Sequence, residues 1–399
     1  MTSRAPYLIA TCGFPNFGDE VITAGWLRYL ADAAPESTVW VDCPEPGLSA
    51  KLFEGIHPKA RFTNTVWRMI AEAPSQEPEE LRAHLERLVA HGGSPRFDLG
   101  LETLRDASSV HVLGGGYIHA KWPHHAGLIY AALAARDING AALYATGQGL
   151  APVLGPEYGL AEALGQFDHL SVRDASSAEF LGIDVGLDDA FLAAPEVLKR
   201  SRQLNLDATA PDVLVCVQDD MGSPERIGHV RELVRERVAE AVAAGNSVGY
   251  VECIPGNDHP GFAALADLIP AENFYPFARV WNEGMPLRSG QHILTTRFHL
   301  HLLGSAAGAR GTAYGISDDY YDEKHRSLVE RGSGWEFVPA SGERAPEFSD
   351  SLKTRLSDYH EQKDAEAAGL YGSKNAATVT EIETPRPVTG SLRRLLRNR

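Results

Sequence analysis

The densest run of chemically capable residues is Thr295-Thr296-Arg297-Phe298-His299-Leu300-His301. It follows a short apolar stretch, Gln291 to Leu294, and precedes the small-residue run Leu302 to Gly308, which is predicted helical. A fixed guanidinium (Arg297) and a titratable imidazole (His299) therefore stand at the mouth of a strand-to-helix turn. In α/β proteins ligands collect at the carboxyl ends of strands, where helix N-termini also favour anions. The pair suits a phosphate or carboxylate with a proton transfer attached; a surface Arg beside a packed His is the plainer alternative. In an extended segment His301 would share a side with His299, within reach of a metal ion. No third ligand accompanies them, so no metal is expected.

Further turns carry similar potential. Gly13-Phe14-Pro15-Asn16-Phe17-Gly18-Asp19-Glu20 has glycines for a tight turn, an Asn tolerant of unusual backbone, and two carboxylates in the first turn of a helix. It lacks the Gly-Lys-Ser/Thr of a Walker loop and the glycine spacing of a dinucleotide site. A helix cap alone would also explain it. Gly114-Gly115-Gly116 offers backbone N–H groups to an anion, or lets a sugar approach closely. Gly147-Gln148-Gly149-Leu150-Ala151-Pro152 is similar, with Gln148 able to hold a hydroxyl. Arg173-Asp174 closes a strand, so Arg173 is either a second anion clamp or a salt-bridge partner of Asp174 or Asp168.

Positioning these turns requires alternating strands and helices. Strands are expected at Leu8 to Cys12, Thr38 to Cys43, Val110 to Leu113, Ala141 to Ala145 and His169 to Val172, with helices between them. A second series follows the polar stretch Lys199 to Pro211, with strands at Asp212 to Val217, Ser247 to Cys253, His292 to Thr295 and near Thr312 to Gly315. This alternation predicts α/β architecture with two facing Rossmann-like domains, 1–199 and 200–345, each on a parallel sheet. A C-terminal helix in 346–370 is free to pack back across both. The stretch from Gly47 to Arg105, rich in Pro, Glu and Arg, reads as either an excursion on the acceptor side or a variable loop with one helix. The segment 371–399 ends in Arg393, Arg394, Arg397 and Arg399. It reads as a disordered tail or as a basic anchor for an anionic membrane surface.

Composition narrows the partners. A length of 399 residues, 44% of them hydrophobic, suits two domains with sizeable cores. A net charge of −16 argues against nucleic acid, whose binding rests on phosphate neutralisation. An acidic surface around a basic cleft remains compatible with a small anionic substrate. Cys12, Cys43, Cys216 and Cys253 lie in or just after strand-like runs without metal or redox spacing, so buried thiols are expected. No stretch has the length of a signal h-region or membrane span, and a cytoplasmic protein is expected, at the inner membrane face if the tail is an anchor.

In order, the motifs G-x-x-N-x-G-D-E, G-G-G, G-Q-G-x-x-P, S-x-R-D and R-x-H resemble those of the polysaccharide pyruvyl transferase family. The matching segments run from Gly13 to Asp189, closing on Asp188-Asp189-Ala190-Phe191, and from Thr295 to about Lys324. The resemblance implies a GT-B-like fold and ketal pyruvylation of a sugar in a polysaccharide or glycolipid, with phosphoenolpyruvate as donor substrate and no cofactor. It implies that Arg173 and Arg297 each bind one anionic group of the donor, beside Gly114, Gly115 and Gly116, while Lys324 neutralises leaving phosphate. His299 becomes the acid that protonates the enol carbon. Asn16, Glu20 and Gln148 fall to the acceptor, and either Asp19 or Glu20 orients or deprotonates its hydroxyls. His301-Leu302 and Ala309-Arg310-Gly311-Thr312 depart from the family, which has a Gly after R-x-H and then a Gly-x-Pro turn. Two other readings stay open: a GT-B glycosyltransferase using a nucleotide-sugar, with Glu252 or Asp258 on the ribose, and a non-catalytic sugar- or anion-binding relative.

Overall fold

The computed structural model describes residues 4–342 and 352–374. The basic tail beyond 374 lies outside the described residues. Among the described residues twelve strands form two six-stranded sheets, parallel throughout. The first holds β1 (Ala5–Ile9), β2 (Val39–Asp42), β3 (Ala60–Thr63), β4 (Ala107–Val112), β5 (Ala142–Gln148) and β6 (His169–Val172). The second holds β7 (Val213–Cys216), β8 (Val248–Val251), β9 (Phe274–Tyr275), β10 (His292–Thr295), β11 (Arg310–Tyr314) and β12 (Glu336–Val338).

The orders are β3-β2-β1-β4-β5-β6 and β9-β8-β7-β10-β11-β12, the same doubly wound topology twice. Order reverses between β1 and β4 and between β7 and β10, and a crevice opens beyond the carboxyl ends of strands at such points. The Gly13, Gly114 and Arg297 turns follow β1, β4 and β10, so topology alone brings them to the two switch points. Both faces of each sheet are covered, so a strand such as Val213–Cys216 is apolar and buried at every position.

Helix starts follow capping chemistry. Asn16, in extended backbone, accepts from the Gly18 N–H at 3.3 Å and opens the helix Phe17–Ala33. Asp174 accepts from Ser177 N at 2.9 Å and opens Ala175–Leu181. A charged helix runs Pro78–His91, burying Leu81, Leu85, Leu88 and Val89. The stretch 47–105 is more ordered than a loop with one helix: it contributes edge strand β3 and three complete helices, Val66–Ala71, Pro78–His91 and Asp98–Arg105. The helix Ala190–Gln203 runs through the expected domain boundary at 199/200.

The C-terminal helix Leu352–Tyr371 packs on Ala190–Gln203 and on Phe298–Ala307, one helix from each series. Pro195 lacks an N–H for the Phe191 carbonyl, and His360 of the C-terminal helix supplies a ring N–H there at 3.2 Å. Tyr359 donates to Arg331 O in the second domain at 3.4 Å, while Tyr371 reaches His111 of β4 at 3.0 Å. Lys363 is the deepest tie: its ammonium lies 2.6 Å from Asp189 Oδ1, and both side chains are all but inaccessible to solvent. It also pairs with Glu366, whose carboxylate accepts from Ser171 and meets the His169 ring. Among the described residues no helix is long and apolar enough to cross a membrane.

Removing one partner of a buried ion pair leaves an uncompensated charge, which costs about 3–5 kcal/mol. Lys363→Met should therefore lower the stability measured by urea unfolding by that amount. The double variant Lys363→Met/Asp189→Asn should recover part of the loss. Additive losses in the double variant would show that the pair carries no coupling.

Candidate functional site

A cavity of about 870 Å³ lies between the carboxyl edges of the two sheets. The first domain lines it with Asn16, Asp19, Gly116 and Arg173; the second lines it with Arg297, His299, Tyr320 and Lys324. Domain contacts frame the opening. Tyr320 donates to Gly116 O at 2.7 Å, Phe17 N donates to Cys253 O at 3.0 Å, and Ser176 N donates to Glu323 Oε1 at 3.0 Å.

Two cations converge at Gly116. A Cβ built on this glycine would lie 2.7 Å from both Arg173 Nη2 and Lys324 Nζ, so a side chain here would collide with both. Arg173 leaves the end of β6, lays its guanidinium over the Phe298 ring at 4.8 Å, and donates through Nη1 to Asp188 Oδ2 at 2.6 Å. Lys324, in the helix Tyr321–Glu330, stands 3.4 Å over the centre of the Tyr320 ring, with no carboxylate at ion-pair distance among the described residues. Burial, then repulsion from Arg173, pushes the Lys324 ammonium well below its ordinary range. An anion between these groups would be held by charge-assisted hydrogen bonds in a site with little water.

His299 enters from the second residue of the helix Phe298–Ala307, capped by Arg297. Its ring lies against Gly18, where a Cβ would sit 1.7 Å from Nδ1, so this close crossing of the two helix starts requires glycine. Its Nε2 is 3.4 Å from Asp188 Oδ1 and has no hydrogen-bond partner. Burial alone would raise the Asp188 carboxyl, but His299 and Arg173 outweigh it and hold that group well below the usual carboxylate range. Burial raises Asp19, against the opposing pull of His299, the Thr11 hydroxyl, Lys324 and Arg173. Asp19 also accepts from Asn16 Nδ2 at 2.9 Å. The cluster can bind a small anion, present an imidazole to it, and offer a carboxylate whose affinity for a proton is increased.

Several expected residues stand elsewhere. Arg297 lines the cavity, but its Nε and Nη2 donate to buried Asp258 at 2.9 and 2.6 Å, and Asp220 lies at 3.2 Å, so its charge is compensated within the protein. It is an anchor for the start of its helix more than an open clamp. Glu20 does not line the cavity: it is fully buried, and Oε1 accepts from Gly13 N at 2.9 Å, bracing the turn from behind. Gln148 is likewise spent internally, donating to the carbonyls of Val112, Leu113 and Thr146. Of the three glycines only Gly116 faces the cavity; Gly114 N donates to Asp189 and Gly115 O accepts from Gly149 N. His301 is on a helix, not a strand, so it turns away from His299. It stacks on Trp335 and meets His325 at 3.1 Å in the core.

Among the described residues one group could approach a metal, Cys216, Cys253 and Asp258. Asp258 there is taken up by Arg297 and by the backbone N–H groups of Cys253 and Ile254, and burial pushes the Cys216 thiol up, which disfavours the thiolate a metal needs. All four cysteines are buried free thiols. Sequence reasoning gave no role to Asp188, although the Asp188-Asp189-Ala190-Phe191 segment stood out; only the fold reveals Arg173 and His299 on either side of it. It also missed Tyr320 and the aromatic wall of Trp67, Tyr117 and Trp122, which sit in stretches without a spacing signal.

The model of the family described as polysaccharide pyruvyl transferase matches residues 16–232. No curated protein matches the chain. Among solved structures, a UDP-N-acetylglucosamine 2-epimerase is similar with a TM-score of 0.50 at 12% identity, covering 93% of this chain and 92% of its own. The UDP-GlcNAc 2-epimerase from Neisseria meningitidis, bound to UDP-GlcNAc, gives 0.49 at 12% identity over 91% and 94%. The E. coli heptosyltransferase with ADP-2-deoxy-2-fluoro heptose gives 0.40 at 14% over 89% and 99%. The likeness to the first of these, at 12% identity, extends to the fold, two facing Rossmann-like domains in the GT-B manner, and no further.

The inward placement of Glu20 has a consequence for stability. Its folded pKa, pushed up to about 8 chiefly by burial, exceeds its ordinary value, so the native state holds the extra proton between about 4.5 and 8. Stability contributed by this group is complete below that window and is lost as pH rises through it. Glu20→Gln should raise the melting temperature relative to the parent by an amount that grows from pH 5 to 8 and then levels. A difference independent of pH would mean that Glu20 is ionised in the fold.

Proposed function

Since the chain belongs to the polysaccharide pyruvyl transferase family, we propose that it moves the pyruvyl unit of phosphoenolpyruvate onto two hydroxyls of a glycan, closing a pyruvate ketal. The observation that carries this reading is the convergence of Arg173 and Lys324 on Gly116, beside the His299 imidazole. A donor bearing phosphate and carboxylate needs two cations at short range, and its enol carbon needs an acid.

In this reading His299 delivers a proton to the methylene carbon of the donor. One glycan hydroxyl then forms a C–O bond to the adjacent cationic carbon and gives its proton to Asp19, whose proton affinity burial raises. The second hydroxyl bonds to the same carbon as the bond from carbon to phosphate oxygen breaks. The proton held by Asp19 then leaves with inorganic phosphate, and that of the second hydroxyl replaces the one lost by His299, so both residues return to their starting states and charge and atoms balance. Asp188 holds Arg173 and faces the imidazole, and Arg297 fixes the helix start from which His299 projects.

Calorimetric titration with phosphoenolpyruvate, with UDP- and GDP-sugars as comparison ligands, tests the donor. Binding of phosphoenolpyruvate that Arg173→Ala weakens by about tenfold or more supports the reading; nucleotide-sugar binding in its place overturns it. His299→Ala should cut turnover by about 10²–10⁴ while donor affinity stays within a few-fold. Unchanged turnover would remove His299 from the chemistry. An incoming anion favours the charged form of Lys324, which burial disfavours, so binding should be accompanied by proton uptake, seen as a heat that depends on buffer ionisation, and should weaken as pH rises. Lys324→Met should abolish the proton uptake.

A further inference from the structure

Arg297 has two carboxylate partners, and they differ in kind. Asp258 is closed to solvent and accepts from both Nε and Nη2, at 2.9 and 2.6 Å. Asp220 is on the cavity side: its side chain is 29% exposed, it lines the cavity, and its Oδ1 stands 3.2 Å from Nη2. Asp220 belongs to the loop 217–223, which leads from the carboxyl end of β7 to the helix Pro224–Ala243. In the first domain the Gly13 turn holds the same place after β1, so this loop also stands at a switch point, where ligands collect. The Asp220 carboxylate is aimed by two side-chain amides. Gln218 Nε2 donates to Oδ1 and Asn257 Nδ2 to Oδ2, each at 2.8 Å. The next residue, Met221, also lines the cavity and has a φ of 66°, a left-handed backbone that methionine rarely adopts. Such backbone persists where its surroundings over-determine it, most often beside ligands and switches.

We propose that Asp220 is an internal competitor of the donor: its carboxylate fills the place of a ligand carboxylate on Arg297 and must be displaced before the donor is seated. The inference deepens the phosphoenolpyruvate reading and rests on it. An ion pair open to solvent contributes little, so the Asp220 contact is the one that yields. The pairing with sealed Asp258 persists through the exchange and keeps the helix start, and with it His299, in place. A displaced Asp220 still leaves a negative charge beside the incoming one, a cost that falls on every carboxylate alike. An anion with a second foothold keeps useful affinity against that cost, and a monocarboxylate loses it. Phosphoenolpyruvate has the second foothold, because its phosphate suits the two cations at Gly116. Pyruvate brings only the carboxylate. Inorganic phosphate fits at Gly116 without displacing Asp220, so the cost does not apply to it.

Calorimetric titration of the full chain with phosphoenolpyruvate, pyruvate and inorganic phosphate, beside the same titrations of two variants, tests it. Asp220→Asn keeps the shape and removes the charge; Asp220→Ser removes the charge by a different side chain and serves if the first fails to fold. Each variant should bind phosphoenolpyruvate and pyruvate about tenfold more tightly than the parent, with phosphate affinity within about twofold of the parent. Carboxylate affinities that stay the same or fall overturn the exchange and leave the donor reading standing. Equal gains for the carboxylates and for phosphate also overturn it, since they report a general loss of negative charge in the cavity. Phosphoenolpyruvate bound by neither the parent nor the variants removes the donor reading, and this inference with it.

Discussion

Two consecutive carboxylates, Asp188 and Asp189, tie the reactive cleft to the hydrophobic core. Asp189 points inward and is fully buried, where it accepts from the Trp26 indole, from Gly114 N and from the Thr146 hydroxyl, and pairs with Lys363. Asp188 points to the cleft, where it holds Arg173 and faces His299. Burying two adjacent negative charges is costly unless each is paired and hydrogen-bonded, and here four structural elements are recruited to do so. The first helix, the glycine turn after β4, strand β5 and the C-terminal helix all close on Asp189. The position of Arg173 is thereby registered to the core within a single residue of chain.

The second constraint is the crossing of two helix starts, Gly18 from the first domain and His299 from the second. An N-terminal turn leaves backbone N–H groups without helical partners. Asn16 satisfies Gly18 N, and the second domain satisfies Phe17 N through Cys253 O. The domains thus meet through groups that the helix itself cannot pair, and the imidazole is delivered at the same point. Tyr320 adds a parallel tie to Gly116, whose missing side chain makes room for Arg173 and Lys324. Closure and site assembly are one arrangement of contacts, which explains why so many glycines and cap residues fall at the strand ends.

A doubly wound sheet repeated twice is common to proteins of many activities, and the likeness to an epimerase at 12% identity conveys the frame alone. Chemistry enters through the residues on that frame. The cations at Gly116, the imidazole at Gly18 and the aromatic wall around Trp67 reach the cavity from different stretches of the chain.

The alternation of apolar runs with amphipathic stretches, and Gly, Asn and Asp at the turns, already determined both parallel sheets and the placing of Asp19, Arg173 and His299 at strand or helix ends. Those signals are local, so the chain expresses them within windows of a few residues. The edge strands β3, β9 and β12 escaped because runs of two to four partly exposed residues carry no period to read. What only the tertiary structure decided is which polar group meets which. Arg297 is compensated by Asp258, 39 residues away in the chain, and Gln148 turns inward to carbonyls up to 36 residues away, while Arg173 and Lys324 meet at Gly116 from separate domains. A charge in a sequence has no partner until the fold supplies one, and its burial and pairing then decide whether it anchors the structure or faces a ligand.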